Sequence, residues 1–248
     1  MQVAPEELQA SYYVRTASRY DEMHTADLHD EHYAALQIMD AVSQALRLRT
    51  FLDVGAGTGR AVLFLRREDR IVRGVEPVSS LIDQAIAKGL PQGDIVCGTG
   101  QSLPFEDQSF DAVLECAVLH HVADPSIVVK EMMRVARKAV FLSDSNRFGQ
   151  GGAMTRWLKL ALYKTGLWGP ARYIQTRGKG YTISEGDGLA YSYSVYDSYK
   201  QLADWADTIW FLPTKCDSGA GSWFHPLLTS PEVLLCAIRG SSERLRGR

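Results

Sequence analysis

Between residues 50 and 143 the chain alternates short apolar runs with segments whose apolar residues recur at helical spacing. The apolar runs are rich in β-branched and aromatic residues, as buried strands are. They predict five strands, at 50–54, 71–76, 94–98, 110–115 and 139–143. The segments between them predict helices at 61–65, 80–87 and 126–136. Because strands and helices alternate strictly, we expect a parallel sheet with helices on both faces.

Two further segments flank this alternation. Residues 31–48 carry apolar residues at helical spacing, and residues 6–24, with Tyr12, Tyr13 and Tyr20, predict another helix. We expect both to cap a ligand cleft. At the other end, 207–215 and 233–238 predict two final strands, and 241–248 a loose polar tail. The expected organisation is a single domain: an N-terminal helical cap (1–48), a core (49–146), an insertion (147–200) and C-terminal strands (201–240).

The insertion interrupts the alternation. It contains a polar, glycine-rich start, an aromatic and basic amphipathic helix at 154–167, and a stretch at 178–199 rich in Tyr, Gly and Ser. Long insertions are commonly lids or binding loops, so we expect this one to shape a substrate pocket. The helix fits a lid over the core, which we favour, or a surface that touches a membrane or a lipid-linked substrate. The stretch also holds tyrosines that either line the pocket or pack the lid: Tyr181, Tyr191, Tyr193 and Tyr196.

Charge and composition narrow the partners. The 248 residues include 27 basic and 29 acidic ones without a long run of one sign, which argues against nucleic acid as the main partner. A small-molecule substrate fits better. No stretch is apolar enough for stable membrane insertion and no targeting signal is visible, so we expect a cytoplasmic protein with at most transient lipid contact. The oligomeric state stays open.

The cysteines carry little chemistry. Cys97, Cys116, Cys216 and Cys236 are widely spaced and form no C-x-x-C pair. We expect buried, reduced thiols rather than disulfides, and no metal site.

A glycine-rich turn marks the candidate ligand site. The first predicted strand runs into Gly55, Gly57 and Gly59, and glycine can adopt the positive φ angles of a tight turn while letting a ligand approach the backbone. The following helix offers unpaired N–H groups at its first turn. Glu76 should end the second strand beside this turn, where its carboxylate can accept both hydroxyls of a ribose. The pattern predicts a nucleoside ligand.

Two ligand classes compete for this turn. The dinucleotide fingerprint places glycine at its first, third and sixth positions, but here the sixth position is Arg60. This departure disfavours NAD. Ala56 and Thr58 leave a turn small enough for a methionine tail. A turn that only packs helix on strand is the remaining interpretation.

Residues 50 to about 145 resemble a class I S-adenosylmethionine-dependent methyltransferase, in the small-molecule branch with quinone-biosynthesis and sugar or natural-product O-methyltransferases. Three blocks carry the resemblance, LDVGAGTG at 52–59, GQSLPFEDQSFD at 100–111 and LHHVAD at 119–124. It implies a Rossmann-like α/β fold with a seven-stranded, mostly parallel sheet whose last strand is antiparallel. It also implies S-adenosylmethionine as the cofactor.

The resemblance carries cofactor-binding roles onto matching positions. It implies contacts to the methionine end from Asp53, Gly55, Gly57 and Gly59, to the ribose from Glu76, to the adenine from Thr99, Gly100 and Gln101, and to the methionine amine from the backbone of Glu115 and Cys116. Ala56 and Pro77 are further positions at which it implies cofactor binding. Tyr20, in the Arg19-Tyr20-Asp21 segment, and His121 complete the set. Two departures stand out. Many relatives have an acidic residue where Thr99 stands, and 134–138 lacks their proline-glycine turn before the fifth strand.

His120 and His121 are the candidate bases, because they follow the fourth strand and an imidazole titrates near working pH. Asp144 ends the fifth strand and could orient one of them. Alternatively, a histidine here only packs on the cofactor or caps a helix. His24, His29, His32 and His225 are expected to be surface or core residues.

The sequence thus predicts methyl transfer to a hydroxyl of a small molecule, such as a sugar, glycan precursor or secondary metabolite. One alternative is C-methylation of a quinone, phenolic or polyprenyl lipid substrate. A more remote one is a nucleotide-binding domain without methyl transfer.

Overall fold

The computed structural model describes residues 4–24, 31–215 and 225–240. The predicted tail, Cys216 and His29 lie outside these residues. The longer helices are α1 (Pro5–Thr16), α2 (Tyr20–His24), α3 (Glu31–Leu46), α4 (Arg60–Leu65), α5 (Ser79–Ala87), α6 (Pro125–Val135), α7 (Ala153–Lys164), α8 (Trp168–Gln175), α9 (Tyr199–Ala203) and α10 (Pro226–Thr229). The strands are β1 (Thr50–Val54), β2 (Ile71–Glu76), β3 (Ile95–Cys97), β4 (Phe110–Cys116), β5 (Ala136–Ser145), β6 (Tyr181–Ser184), β7 (Gly188–Tyr191), β8 (Thr208–Lys215) and β9 (Glu232–Ile238).

Seven strands form one sheet in the order β3-β2-β1-β4-β5-β9-β8. Strands β1 to β5 pair in parallel, and β9 runs antiparallel to both β5 and β8. The predicted mostly parallel sheet with an antiparallel last strand is therefore confirmed. Its parallel strands end at a common edge, where open α/β sheets bind their ligands.

The sheet is buried on both faces because its strands alternate their side chains between two apolar clusters. Phe51, Leu114 and Phe141 pack on one face with residues of α3 and α4. Leu52, Val113 and Val140 pack on the other face with residues of α6. Burial on both sides explains why these strands are continuous apolar runs in the sequence.

Three element boundaries differ from the prediction. The helix expected at 6–24 is interrupted by a 3₁₀ turn at Ala17–Arg19. The helix expected at 154–167 ends at Lys164, since Gly166 adopts a φ of 74° and α8 then begins at Trp168. Without a proline-glycine turn, α6 leads directly into β5, which begins at Ala136 and is longer than expected.

The insertion forms its own small layer. α7 has no buried residue and packs mainly on the 3₁₀ turn Arg147–Gly149 and on α8 rather than on the sheet. Its outer side exposes Met154, Trp157 and Leu158. β6 and β7 form an antiparallel hairpin, and α1 packs against β7. No helix within the described ranges has the length and apolarity to cross a bilayer.

The cysteine expectation is partly wrong. Cys236 is buried, but Cys97 is exposed because it ends the edge strand β3, and Cys116 is half-buried. All three are free thiols.

Candidate active site

The glycine turn between β1 and α4 has the conformation that its sequence predicts. Gly55, Gly57 and Gly59 have φ angles of 75°, 53° and 81°, in the left-handed region that favours glycine. A Cβ on Gly59 would lie 2.3 Å from Cδ1 of Leu90, and one on Gly57 would lie 3.1 Å from the hydroxyl of Tyr20. The turn therefore needs glycine for both backbone conformation and space.

Glu76 lies against this turn, as predicted. The backbone N–H of Gly57 donates to its Oε2 and that of Val78 to its Oε1, both at 2.9 Å. The residue is only 5% exposed. These two hydrogen bonds hold the carboxylate in place. Each of its oxygens uses one of two lone pairs on them, so each can still accept a hydrogen bond from a hydroxyl.

Buried acidic groups dominate this end of the site. Burial raises the pKa of Asp53 to about 7, with Arg60 opposing and Glu76 adding to the shift, and burial also raises the pKa of Glu76 to about 7. Burial and then Asp144 raise the pKa of Glu115 well above its usual range, and its buried Oε1 has no hydrogen-bond partner within the described residues. Such acceptors suit a ligand with an amine and a sugar diol, as S-adenosylmethionine has.

The N-terminal segment packs on the glycine turn and is held there by Asp21. The hydroxyl of Thr58 donates to Oδ1 of Asp21 at 2.7 Å, and Lys88 forms an ion pair with the same carboxylate at 2.5 Å. Lys88 also donates to the backbone oxygen of Thr58 at 3.3 Å. The structure thus brings Tyr20 and Asp21 to the glycine turn, and the contact of Tyr20 with a cofactor stays a prediction.

The positions expected near the adenine follow β3. Thr99 is exposed, and Gly100 and Gln101 are half-buried, while Pro77, which follows β2, is exposed. A Cβ on Gly100 would lie 2.9 Å from a methyl group of Val128, so this loop sits tightly on α6. At the end of β4, burial raises the pKa of the Cys116 thiol well above its usual value, which suits a backbone role better than a chemical one.

His120 and Asp144 form a buried pair at the ends of β4 and β5. Nδ1 of His120 lies 2.7 Å from Oδ1 of Asp144, and the backbone N–H of Leu119 donates to Oδ2 at 2.8 Å. The N–H groups of His120 and Ser145 donate to the same carboxylate. Burial opposes ionisation of Asp144, but His120 and these donors outweigh it and lower its pKa.

His121 has different hydrogen-bond partners, although its ring lies against that of His120 with the centroids 3.9 Å apart. Its Nδ1 lies 2.6 Å from the backbone oxygen of Leu189, which places the ring proton on Nδ1, and the hydroxyl of Tyr13 lies 3.0 Å from Nε2. Gln9 contributes to the same cluster, since its Oε1 accepts from the N–H of Leu189 at 2.5 Å. His121 therefore joins α1 to the β6–β7 hairpin.

Asp187 is the site residue that sequence reasoning missed. Its carboxylate lies 3.3 Å from Nε2 of His120 and 3.4 Å from Nε2 of His121. Burial lowers the pKa of His120, but Asp144 and then Asp187 raise it more, so the net shift is well above the usual value. Burial likewise opposes a charged Asp187, yet the two imidazoles lower its pKa.

Within the described residues, His120, His121 and Asp187 offer ligand atoms within 4.8 Å of one another, so this cluster could hold a metal ion. The ion pairs and the Tyr13 contact already engage the same atoms. Metal independence stays a prediction.

A cavity of about 450 Å³ opens beside His120. The side chains around it come from the ends of β4 and β5 and from the insertion, and His121 is not among them. The insertion therefore helps to shape a pocket at the predicted edge. Tyr191 and Tyr193 line the cavity, as does His32, which was expected to be only a surface or core residue.

The family comparison falls on the strands and turns that build this site. Residues 52–143 match the family described as methyltransferase domain. An uncharacterised methyltransferase of Mycobacterium tuberculosis is 37% identical over 89 residues, which are 36% of each chain. A demethylmenaquinone methyltransferase of Roseiflexus castenholzii is 35% identical over 89 residues, 35% of this chain and 37% of that one. The match thus spans about a third of the length of these curated relatives.

Solved structures share the fold over a longer span. A S-adenosylmethionine-dependent methyltransferase of Thermotoga maritima, described as a possible histamine N-methyltransferase, has a TM-score of 0.58 at 17% identity and covers 95% of this chain and 100% of its own. The magnesium protoporphyrin IX methyltransferase of Synechocystis, solved with bound S-adenosylmethionine, has a TM-score of 0.57 at 16% identity, with coverage of 96% and 99%. The family match falls on the strands and the turn that build this sheet edge, so residues 52–143 form a domain of the methyltransferase type, and the solved structures show that the fold continues beyond it.

Proposed function

We propose that this protein transfers the methyl group of S-adenosylmethionine to a hydroxyl of a small molecule, with His120 as the general base. The observation that carries the proposal is the orientation of the two histidines. His120 lines the cavity and is held from behind by Asp144, whereas His121 is bound to Leu189 and Tyr13.

The residues at the glycine turn fit the cofactor. Glu76 would accept the ribose hydroxyls, since both of its oxygens are anchored by N–H groups and keep free lone pairs. Asp53 and the backbone of the glycine turn would hold the methionine end, beneath Tyr20. When bound, S-adenosylmethionine supplies a methyl group on a sulfonium, which needs chiefly an aligned nucleophile.

An acceptor hydroxyl has to lose its proton as its oxygen bonds to the methyl carbon. Nδ1 of His120 donates to Asp144, so in the neutral ring the lone pair is on Nε2, the atom that receives the proton. Asp144 then stabilises the imidazolium and keeps its orientation, as the carboxylate does in other acid–histidine pairs. Asp187, beside Nε2, stabilises the same charge.

C-methylation of a quinone or phenolic compound is the second candidate. The demethylmenaquinone methyltransferase of Roseiflexus castenholzii, at 35% identity over part of the chain, favours it. A carbon nucleophile of this kind is already activated, so turnover would depend little on a histidine base.

The test is a transfer assay with S-adenosylmethionine carrying a ¹³C-labelled methyl group, against panels of sugars, phenols and reduced quinones. The ¹³C shift of the product distinguishes an O-methyl from a C-methyl group. We expect an O-methyl product, and a loss of about 10²- to 10⁴-fold in kcat for His120→Ala, as for removal of a general base. A C-methyl product, or near wild-type turnover of His120→Ala with intact cofactor binding, would refute the assignment.

A pH profile separates a base from a merely structural histidine. Because the pKa of His120 is raised, turnover should increase as the pH rises through that pKa and the ring becomes neutral. Asp187→Asn removes one of the carboxylates that raise the pKa of His120, so the increase in turnover should occur at lower pH. An unmoved profile in this variant would contradict the role of His120.

A further inference from the structure

The lining of the cavity beside His120 contains a cluster of three cationic side chains. Arg147, Lys159 and Arg172 all line it. They belong to the stretch 147–184, which contains seven lysines and arginines and no aspartate or glutamate. The acidic residues that line the cavity are Asp187, which is paired with the histidines, and Glu232.

Arg147 is the most deeply buried of the three cations. It is 7% exposed and lies over the rings of Phe148, Tyr163 and Trp168, at 5.2, 5.5 and 5.7 Å from their centroids. One end of its guanidinium pairs with Asp197. Its buried Nε has no hydrogen-bond partner within the described residues, and burial lowers its pKa to about 10. An N–H donor is therefore left unused in a buried place, which costs free energy.

Arg172 and Lys159, unlike Arg147, have no carboxylate partner within the described residues. Arg172 donates to Oε1 of Gln175 at 2.9 Å, and its buried Nε is unpartnered. Lys159 donates only to backbone oxygens, those of Arg147 at 2.9 Å and Gln150 at 3.0 Å. Across the described part of the chain, neither cation has an acidic group within ion-pair distance. Burial, and then the neighbouring arginines, lower the pKa of Lys159, as expected of cations packed together.

We propose that this cation cluster binds an anionic group on the methyl acceptor, a carboxylate or a phosphate, while the acceptor hydroxyl faces His120. The inference rests on the proposed function and names the class of its substrate. Guanidinium groups match both oxyanions in geometry, because their planar N–H donors can bind two oxygens at once. Such a group would lie among three cations of the cavity lining, two of which have no carboxylate partner in the described residues.

The cavity has the size and the layout for this arrangement. Its volume of about 450 Å³ lies within the usual range for small-molecule pockets, and Trp168 and Tyr191 supply apolar walls between the polar groups. His120 and Asp187 line the same cavity as the three cations. An acceptor anchored by its anion would be positioned toward the base, which is how binding groups remote from the reaction accelerate it.

The experiment uses three sugars that differ only at carbon 6, together with simple anions. Glucose, glucuronate, glucose 6-phosphate, acetate and inorganic phosphate are titrated by calorimetry into protein saturated with S-adenosylhomocysteine. We expect at least one of the two anionic sugars to bind about tenfold or more tightly than glucose, as for a charge-assisted hydrogen bond. Whether glucuronate or glucose 6-phosphate binds more tightly identifies the anion as carboxylate or phosphate.

Two matched variants test the residues. Arg172→Met should abolish the preference for the anion, and Arg177→Met, an exposed cation of the same stretch, should keep it. S-adenosylhomocysteine binding and thermal melting show that Arg172→Met is folded. The inference is overturned if no anion binds, if glucose binds as tightly as both anionic sugars, or if Arg172→Met keeps the preference. Failure of S-adenosylhomocysteine to bind the unmodified protein would instead refute the proposed function.

Discussion

Replacing Asp144 by asparagine tests whether the carboxylate behind His120 is charged. Asp144 is 1% exposed and accepts from four donors, the N–H groups of Leu119 (2.8 Å), His120 (3.3 Å) and Ser145 (2.5 Å) and Nδ1 of His120 (2.7 Å). Each carboxylate oxygen takes two of them. An asparagine keeps one acceptor oxygen and turns an NH₂ group toward the other two donors.

The expected loss of stability follows from this geometry. Removing one partner of a buried ion pair costs about 3–5 kcal/mol, because the remaining charge is left uncompensated. The pKa of Asp144 is lowered and that of His120 is raised, so the pair stabilises the fold between the unfolded pKa of Asp and the raised pKa of His120. The stabilisation is lost when the pH falls through the lowered pKa of Asp144. It is also lost when the pH rises through the raised pKa of His120.

Glu115 provides a matched control at the same edge of the sheet. It is fully buried, and burial and then Asp144 raise the pKa of its carboxyl above the value in the unfolded chain. A raised carboxyl pKa reduces stability as the pH rises above the unfolded value. Glu115→Gln removes this dependence, since a neutral amide carries no cost of burying an ionised carboxylate, so at pH 7 it should be as stable as the wild type or more so.

Chemical denaturation at pH 7 compares the two variants, with S-adenosylhomocysteine binding as a check on the fold. Asp144→Asn should lose about 3–5 kcal/mol of unfolding free energy, and Glu115→Gln none. The reasoning is refuted if Asp144→Asn stays within about 1 kcal/mol of the wild type, the usual effect of an ordinary substitution, or if Glu115→Gln is the more damaging change.

Four further predictions concern the cofactor end and the histidine cluster. Glu76→Gln should weaken S-adenosylhomocysteine binding about tenfold or more by calorimetry, and an unchanged Kd would contradict the ribose role. Since the pKa values of Asp53 and Glu76 are about 7, affinity for S-adenosylhomocysteine should rise from pH 6 to pH 8, with proton release seen as buffer-dependent heat. In thermal melts, Gly59→Ala should cost about 2 kcal/mol or more, because its Cβ would collide with Leu90, whereas Gly166→Ala, at a similar φ in open space, should cost about 1 kcal/mol. Equal losses would argue against that collision. Turnover should be unchanged in EDTA, and a loss restored by a divalent cation would assign the histidine cluster to a metal.

The cofactor half of the site follows from the sequence because it depends on local pattern and strand order. The spacing of Gly55, Gly57 and Gly59 fixes the turn, and a parallel sheet brings the end of β2 beside the end of β1. Those two facts suffice to place Glu76 against Gly57, as the hydrogen bond between them shows. Asp144 is placed beside His120 by the same reasoning, since β4 and β5 are neighbours.

The arrangement around His120, where we propose that the acceptor binds, could not be predicted from the sequence in this way. Asp187 reaches the histidines only because the β6–β7 hairpin folds back on α1, where Gln9 binds the N–H of Leu189, 180 residues away in the chain. Neither the hairpin nor this contact has a periodic signal. The sequence likewise presents His120 and His121 as equivalent, and only their partners distinguish the one that faces the cavity from the one that holds the hairpin.

Calorimetric titration of the purified protein with S-adenosylhomocysteine, and in parallel with NAD, tests the central claim most directly. The buried carboxylate of Glu76 and the three-glycine turn predict saturable binding of S-adenosylhomocysteine, one per chain, and no heat from NAD. Binding of NAD with no response to S-adenosylhomocysteine would contradict the account.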